Sequence, residues 1–170
     1  MFPKHSLVIA SFIALSATSC GTNRPKPASV AEAPSTTLTA ANIGGLRVSD
    51  EVARACALPS RPEEAPKFGF DDDTLSEGER ELLAEVGRCV SSGPLRGRRI
   101  SLVGHTDRRG SEQYNLALGA RRANAVARHM AALGVDPGQL RETSRGELDA
   151  TGTDEDTWRL DRRVDIQLAD

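Results

Sequence analysis

Long apolar runs are nearly absent from this 170-residue chain. The single candidate, Leu7 to Leu15, is far shorter than the roughly 20 residues a membrane-spanning helix needs. Cysteine is scarce as well, and three scattered residues make neither a disulfide scaffold nor a zinc knuckle. Neither sign of charge dominates. With 22 Lys+Arg against 24 Asp+Glu, the net charge of −2 excludes the strong basic excess of a nucleic-acid binder. The three histidines, His5, His105 and His129, lack zinc-ligand spacing. No Ser-His-Asp or Cys-His arrangement stands out. No metal, cofactor or catalytic function is therefore expected. Aromatics are few: Phe2, Phe12, Phe68, Phe70, Tyr114 and Trp158. The stretch from Gly21 to Pro66 has none and holds six of the nine prolines. Such a segment cannot bury enough apolar area to offset its ordering entropy. The 38% of apolar residues suffices for one core, which is expected mostly after Pro66.

What is present at the N-terminus reads as an export signal. Lys4 and His5 precede the apolar run, and its length is that of a signal-peptide hydrophobic region. Ser16-Ala17-Thr18-Ser19 then lead to Cys20. The sequence resembles a bacterial lipobox, which implies cleavage before Cys20 and lipidation of that cysteine; the alternative is an ordinary secretory signal beside a chance cysteine. Gly21, rather than Asp, favours the outer membrane by the same resemblance. Export places Cys56 and Cys89 in a disulfide-permissive compartment. They form either one bridge or two separate buried thiols. The expected organisation is a signal peptide over 1–19, a lipid-anchored flexible linker over 20–44, an N-terminal extension over 45–66 carrying Cys56, and a domain over 67–170.

Within that frame the local signals are specific. Ser49 is a candidate N-cap for a short helix through Leu58. Lys67 to Phe70 reads as a short strand ended by Asp71 to Asp73. Ser76 and Glu79 form an S-x-x-E capping box. Leu82, Leu83, Val86, Cys89 and Val90 follow it at helical spacing, and Ser92-Gly93-Pro94 stops the helix. Arg99 to Gly104 is a strand, and His105 to Gly110 is a loop. Ser111 caps a longer helix with an apolar stripe of Leu116, Ala120, Ala123, Val126, Ala127, Met130 and Leu133, closed by Gly134. Leu140 to Ser144 is a strand, residues 147–157 are an acidic loop, and Val164, Ile166 and Leu168 alternate as a half-buried strand. The order is strand–helix–strand–helix–strand–strand. It implies a two-layer α/β sandwich.

Gly104 to Val126 closely resembles the signature of the OmpA-like peptidoglycan-binding family: Gly104, His105, Thr106, Asp107 and Gly110, then Asn115, Leu118, Gly119, Arg122 and Ala123. Phe68-Gly69-Phe70-Asp71 is similar to the family's first strand, and Asp161 to Ile166 to its last. The resemblance implies an α+β βαβαββ fold with a mixed sheet and two helices on one face. It also implies an outer-membrane lipoprotein, facing the periplasm, that holds peptidoglycan through the diaminopimelate of the stem peptide. A second reading is docking to a Tol-type envelope complex in which protein partners dominate.

Diaminopimelate ends in an ammonium and a carboxylate on one carbon. It needs one anion and one cation held close together. The resemblance carries over Asp107 as partner of the ammonium and Arg122 as partner of the carboxylate, onto which a guanidinium can fork. Asp71 and Phe70 are expected to form another wall, with Arg109 and Asn115 as a ligand contact and a loop brace. Both charged side chains of the central pair are expected to point away from the core. Arg162 and Arg163 are expected at the sheet edge, Tyr114 and Trp158 in packing roles, and Arg96, Arg98 and Arg99 on a solvated face.

Overall fold

A computed structural model describes residues 42–59 and 68–169. Sequence alternation and caps translate directly into most of its elements. Strand β1 is Asn42–Ile43 and β2 is Leu46–Val48. Helix α1, Asp50–Ala55, starts at Ser49, whose hydroxyl accepts from the Val52 N–H. It ends before Leu58 because Ala57 turns left-handed at φ 50°. Helix α2 is Glu77–Ser91 and β3 is Ile100–His105. Helix α3, Glu112–Ala132, begins at Ser111 and is followed by Gly134 at φ 91°. Strand β4 is Leu140–Gly146, α4 is Glu155–Asp161 and β5 is Val164–Leu168.

The five strands lie in the order β1-β2-β5-β3-β4. The sheet is mixed: β2 is parallel to β5, β3 is parallel to β4, and β5 runs antiparallel to β3. Helix α3 packs on β3 and β4, and α2 packs on α3. This is the two-layer sandwich expected. Leu82, Leu83, Val86, Cys89 and Val90 of α2 are buried in the same core as Ile100, Leu102, Val126, Met130, Val164 and Ile166.

Four local readings are corrected. Phe68 to Phe70 is not a strand; Lys67 lies outside the described residues. The first strands are instead β1 and β2, so Asn42 and Ile43 of the stretch read as linker are part of the sheet. Residues 155–161, read as the end of an acidic loop and its exit, form α4, which Asp154 caps through a bond from the Thr157 N–H. In α3 the buried face is Asn115, Leu118, Gly119, Arg122, Ala123, Val126, Ala127 and Met130, whereas Ala120 and Leu133 are exposed and Leu116 is half-buried. The stripe is rotated because α3 approaches β3 backbone to backbone. A Cβ on Gly104 would stand 1.8 Å from the Gly119 carbonyl oxygen. Only glycine at that point of β3 lets the helix come so close.

Two devices fasten the N-terminal elements to α2. Glu79 completes its capping box, and its other carboxylate oxygen accepts from the Gly45 N–H at 2.6 Å. Cys56 and Cys89 are bonded, with Cα atoms 5.4 Å apart. The bridge closes a loop of 33 residues in separation, worth about 3–4 kcal/mol through the entropy of the unfolded chain. Cys56→Ser, Cys89→Ser or a reducing agent is expected to lower urea-unfolding stability by that amount, and the effects of reduction and of either substitution should not add.

Candidate functional site

The site forms where the carboxyl end of β3 meets the N-terminus of α3. The loop leaving β3 is fixed by its backbone. The His105 N–H donates to the Arg163 carbonyl at 2.8 Å, and the Thr106 N–H donates to the Gly146 carbonyl at 2.9 Å. The loop turns at Gly110, φ 107°, into the Ser111 cap. Tyr114, Leu118 and Arg122 follow at intervals of four residues, which places them on one side of α3. The turn Phe68–Asp72 lies across this face, with Asp71 left-handed at φ 53°.

Two arginines hold that turn by its carbonyl groups. Arg122 is fully buried. Its Nε donates to the Asp72 carbonyl at 2.8 Å, Nη1 to the His105 carbonyl at 2.8 Å and Nη2 to the Gly69 carbonyl at 3.1 Å. Arg162, at the end of α4, donates from Nε to the Phe68 carbonyl at 2.7 Å. Burial is the larger cause pushing the Arg122 guanidinium down, to about 10, and nearby Arg162 acts the same way while Asp107 and Asp72 oppose it. It remains a cation at neutral pH.

Asp107 is buried and meets Arg109 and Arg162. Its Oδ1 accepts from the Arg109 N–H at 3.0 Å and from Arg109 Nε at 3.1 Å. Its Oδ2 accepts from Arg109 Nη2 at 2.8 Å and Arg162 Nη1 at 3.2 Å. Burial by itself would raise this carboxyl, but the bonds from Arg109 and then Arg162 outweigh it and hold it below the usual carboxylate range. The Arg109 guanidinium lies between two rings, 4.4 Å from the Phe70 centroid and 4.3 Å from that of Trp158. Its Nη1 also meets Glu155 at 3.1 Å.

Phe70, Asp71, Asp107, Arg109, Asn115 and Arg122 line one pocket, so all six candidate ligand residues come together. Thr106, Tyr114, Leu118 and Arg162 line it too. All four were missed as site residues, Thr106 although it directly precedes Asp107 in the motif. Tyr114 and Leu118 are marked by their helical spacing from Arg122. Arg162 carries no such mark, since nothing in its neighbourhood separates a buried arginine from one at a sheet edge. Tyr114 is 41% exposed and its hydroxyl bonds Asp71, so it is a wall of the pocket and not a core residue. Trp158 packs, as read, but against Arg109.

One further expectation changes. Asp107 and Arg122 do not point outward; both are buried. They share the pocket, yet the hydrogen bonds of Asp107 go to Arg109 and Arg162. Asn115, also buried, donates to Glu147 and so braces the turn after β4. His105 lies beneath the site with Nδ1 3.4 Å from Asp149 and Nε2 3.2 Å from Asp165. Among the described residues no cluster of His, Cys, Asp and Glu is arranged to hold a metal ion. Cys20 lies outside the described residues.

A sequence profile described as the OmpA family matches residues 67–163. The peptidoglycan-associated lipoprotein of Haemophilus influenzae is 31% identical over 165 residues, covering 96% of this chain and 95% of that one. That of Pseudomonas aeruginosa is 49% identical over 73 residues, 42% of this chain and 44% of that protein. The chain spans about half the length of several such curated relatives. The crystal structure of the peptidoglycan-associated lipoprotein from Burkholderia pseudomallei is similar at TM-score 0.56 and 38% identity, over 60% of this chain and 86% of that one.

Proposed function

The chain belongs to the OmpA family, and from that premise we propose that it binds peptidoglycan non-covalently by gripping the diaminopimelate of the stem peptide. One observation carries the proposal: a buried carboxylate, Asp107, and a buried guanidinium, Arg122, line a single pocket. That is the charge pattern a zwitterionic side-chain end requires. Three of the five N–H groups of Arg122 are occupied by backbone carbonyls. One remains on each terminal nitrogen, and these serve the ligand carboxylate. Asp107 serves the ammonium.

The names of the relatives, peptidoglycan-associated lipoproteins, support the same reading, as does the lipobox-like Cys20. In this account lipidated Cys20 holds the chain in the outer membrane and the pocket engages the wall. The full-length protein in detergent should co-sediment with purified sacculi that contain diaminopimelate, and free stem tripeptide should release it. Protein left in the supernatant at saturating sacculi would refute the proposal. Alanine at Cys20 should move the protein from the membrane to the soluble fraction.

A further inference from the structure

We propose that Arg109 is the resident cation of the ammonium subsite, and that ligand binds by exchange, its ammonium displacing the Arg109 side chain from Asp107. This inference rests on the proposed function and concerns how that site is filled.

A carboxylate offers about four lone-pair positions. Asp107 already accepts from the Arg109 backbone N–H, Arg109 Nε, Arg109 Nη2 and Arg162 Nη1. The cavity beside it is about 10 Å³, room for about one water molecule. An ammonium reaches Asp107 only if a donor leaves. Arg162 is locked: its side chain is 7% exposed, and it also bonds the Phe68 carbonyl and Glu155. Arg109 is the group free to leave. Its side chain is 30% exposed, and its remaining ion partner, Glu155, is 61% exposed.

The consequence is selective. A ligand with an ammonium alone breaks the Arg109–Asp107 pair and returns no anion to the displaced guanidinium. A ligand with a carboxylate alone leaves the pair intact and finds no opening. A zwitterion on one carbon supplies both charges at once. The ammonium takes the place of the guanidinium on Asp107, and the carboxylate enters a pocket walled by Arg122 and the displaced Arg109. Departure of Arg109 also removes a cation from the face of Trp158, to whose ring it lies at 4.3 Å.

Trp158 is the only tryptophan of the chain, so its fluorescence reports the exchange. The full-length protein is titrated with the tripeptide L-Ala–D-Glu–meso-diaminopimelate, in parallel by calorimetry and by tryptophan emission. In the wild type the emission should change with the calorimetric midpoint. In Arg109→Ala the emission of the free protein should already be shifted toward the bound value and should change little on titration. Arg109→Gln, which keeps the bulk but not the charge, should behave as Arg109→Ala does. Calorimetric binding without an emission change in the wild type would overturn the exchange alone. So would an Arg109→Ala protein whose free emission equals that of the wild type, since Arg109 would then not be the cation that lies on Trp158 in the unliganded site. No calorimetric binding to the wild type would overturn the proposed function and the exchange together.

Discussion

Replacing Arg122 by methionine is expected to cost about 3–5 kcal/mol of stability, since it strips a buried network of its central donor. The carbonyls of Gly69, Asp72 and His105 each lose a partner, and the turn Phe68–Asp72 loses its tie to α3. Methionine approximates the arginine stem, so the loss reports the guanidinium and not a cavity. Arg122→Lys should fall between, because an ammonium cannot fork onto carbonyls on three sides. Urea unfolding followed by circular dichroism gives the stability. Tripeptide binding must then be measured where each variant is still folded, and there both variants should bind at least about thirtyfold more weakly. A variant as stable as wild type would show that Arg122 does not organise the turn.

The second large effect is at Asp107. Asp107→Asn keeps the shape and removes the charge that faces Arg109 and Arg162. Arg162 would then lie buried with Glu155 as its remaining carboxylate, a loss of about 2–4 kcal/mol. The ligand ammonium would have no anion, so affinity should fall by more than about thirtyfold. The pH dependence has a definite sign. The folded Asp107 carboxyl lies below its ordinary value. Its stabilising contribution is therefore complete above the unfolded carboxyl range, near about pH 4, and is lost as pH falls through the depressed folded value. The acid limb of the stability curve should accordingly be shallower in Asp107→Asn than in the wild type, as measured by urea unfolding at a series of pH values.

Local chemistry was legible wherever one residue decides the outcome. Ser76 with Glu79, Ser111 and Gly134 mark helix ends through their own side chain or backbone freedom, and the structure has those ends. The alternation of Val164, Ile166 and Leu168 marks β5 for the same reason. What failed depends on distant partners. Leu46–Val48 is a three-residue strand because β5 is there to pair with it. Phe68 to Phe70 has strand-like composition, yet its carbonyls bond arginine side chains of α3 and of the turn after α4 instead of a neighbouring strand. Five of the six candidate ligand residues were legible through the family motif, and Arg109 stands at one of its unspecified positions. Their burial was not, because hydropathy places arginine and aspartate outside, and only the surrounding carbonyls and counter-charges make the interior tolerable for Arg122, Arg162 and Asp107.

The central claim, that Asp107 and Arg122 together recognise the zwitterionic end of diaminopimelate, is tested most directly by one comparison of ligands. Calorimetry of the full-length protein with L-Ala–D-Glu–meso-diaminopimelate is set beside the same tripeptide carrying lysine in place of diaminopimelate. Lysine retains the ammonium and lacks the neighbouring carboxylate. The diaminopimelate peptide should bind at a single site, and the lysine peptide should bind at least about tenfold more weakly, the loss of one charge-assisted pair. Equal affinity for the two peptides would contradict the account.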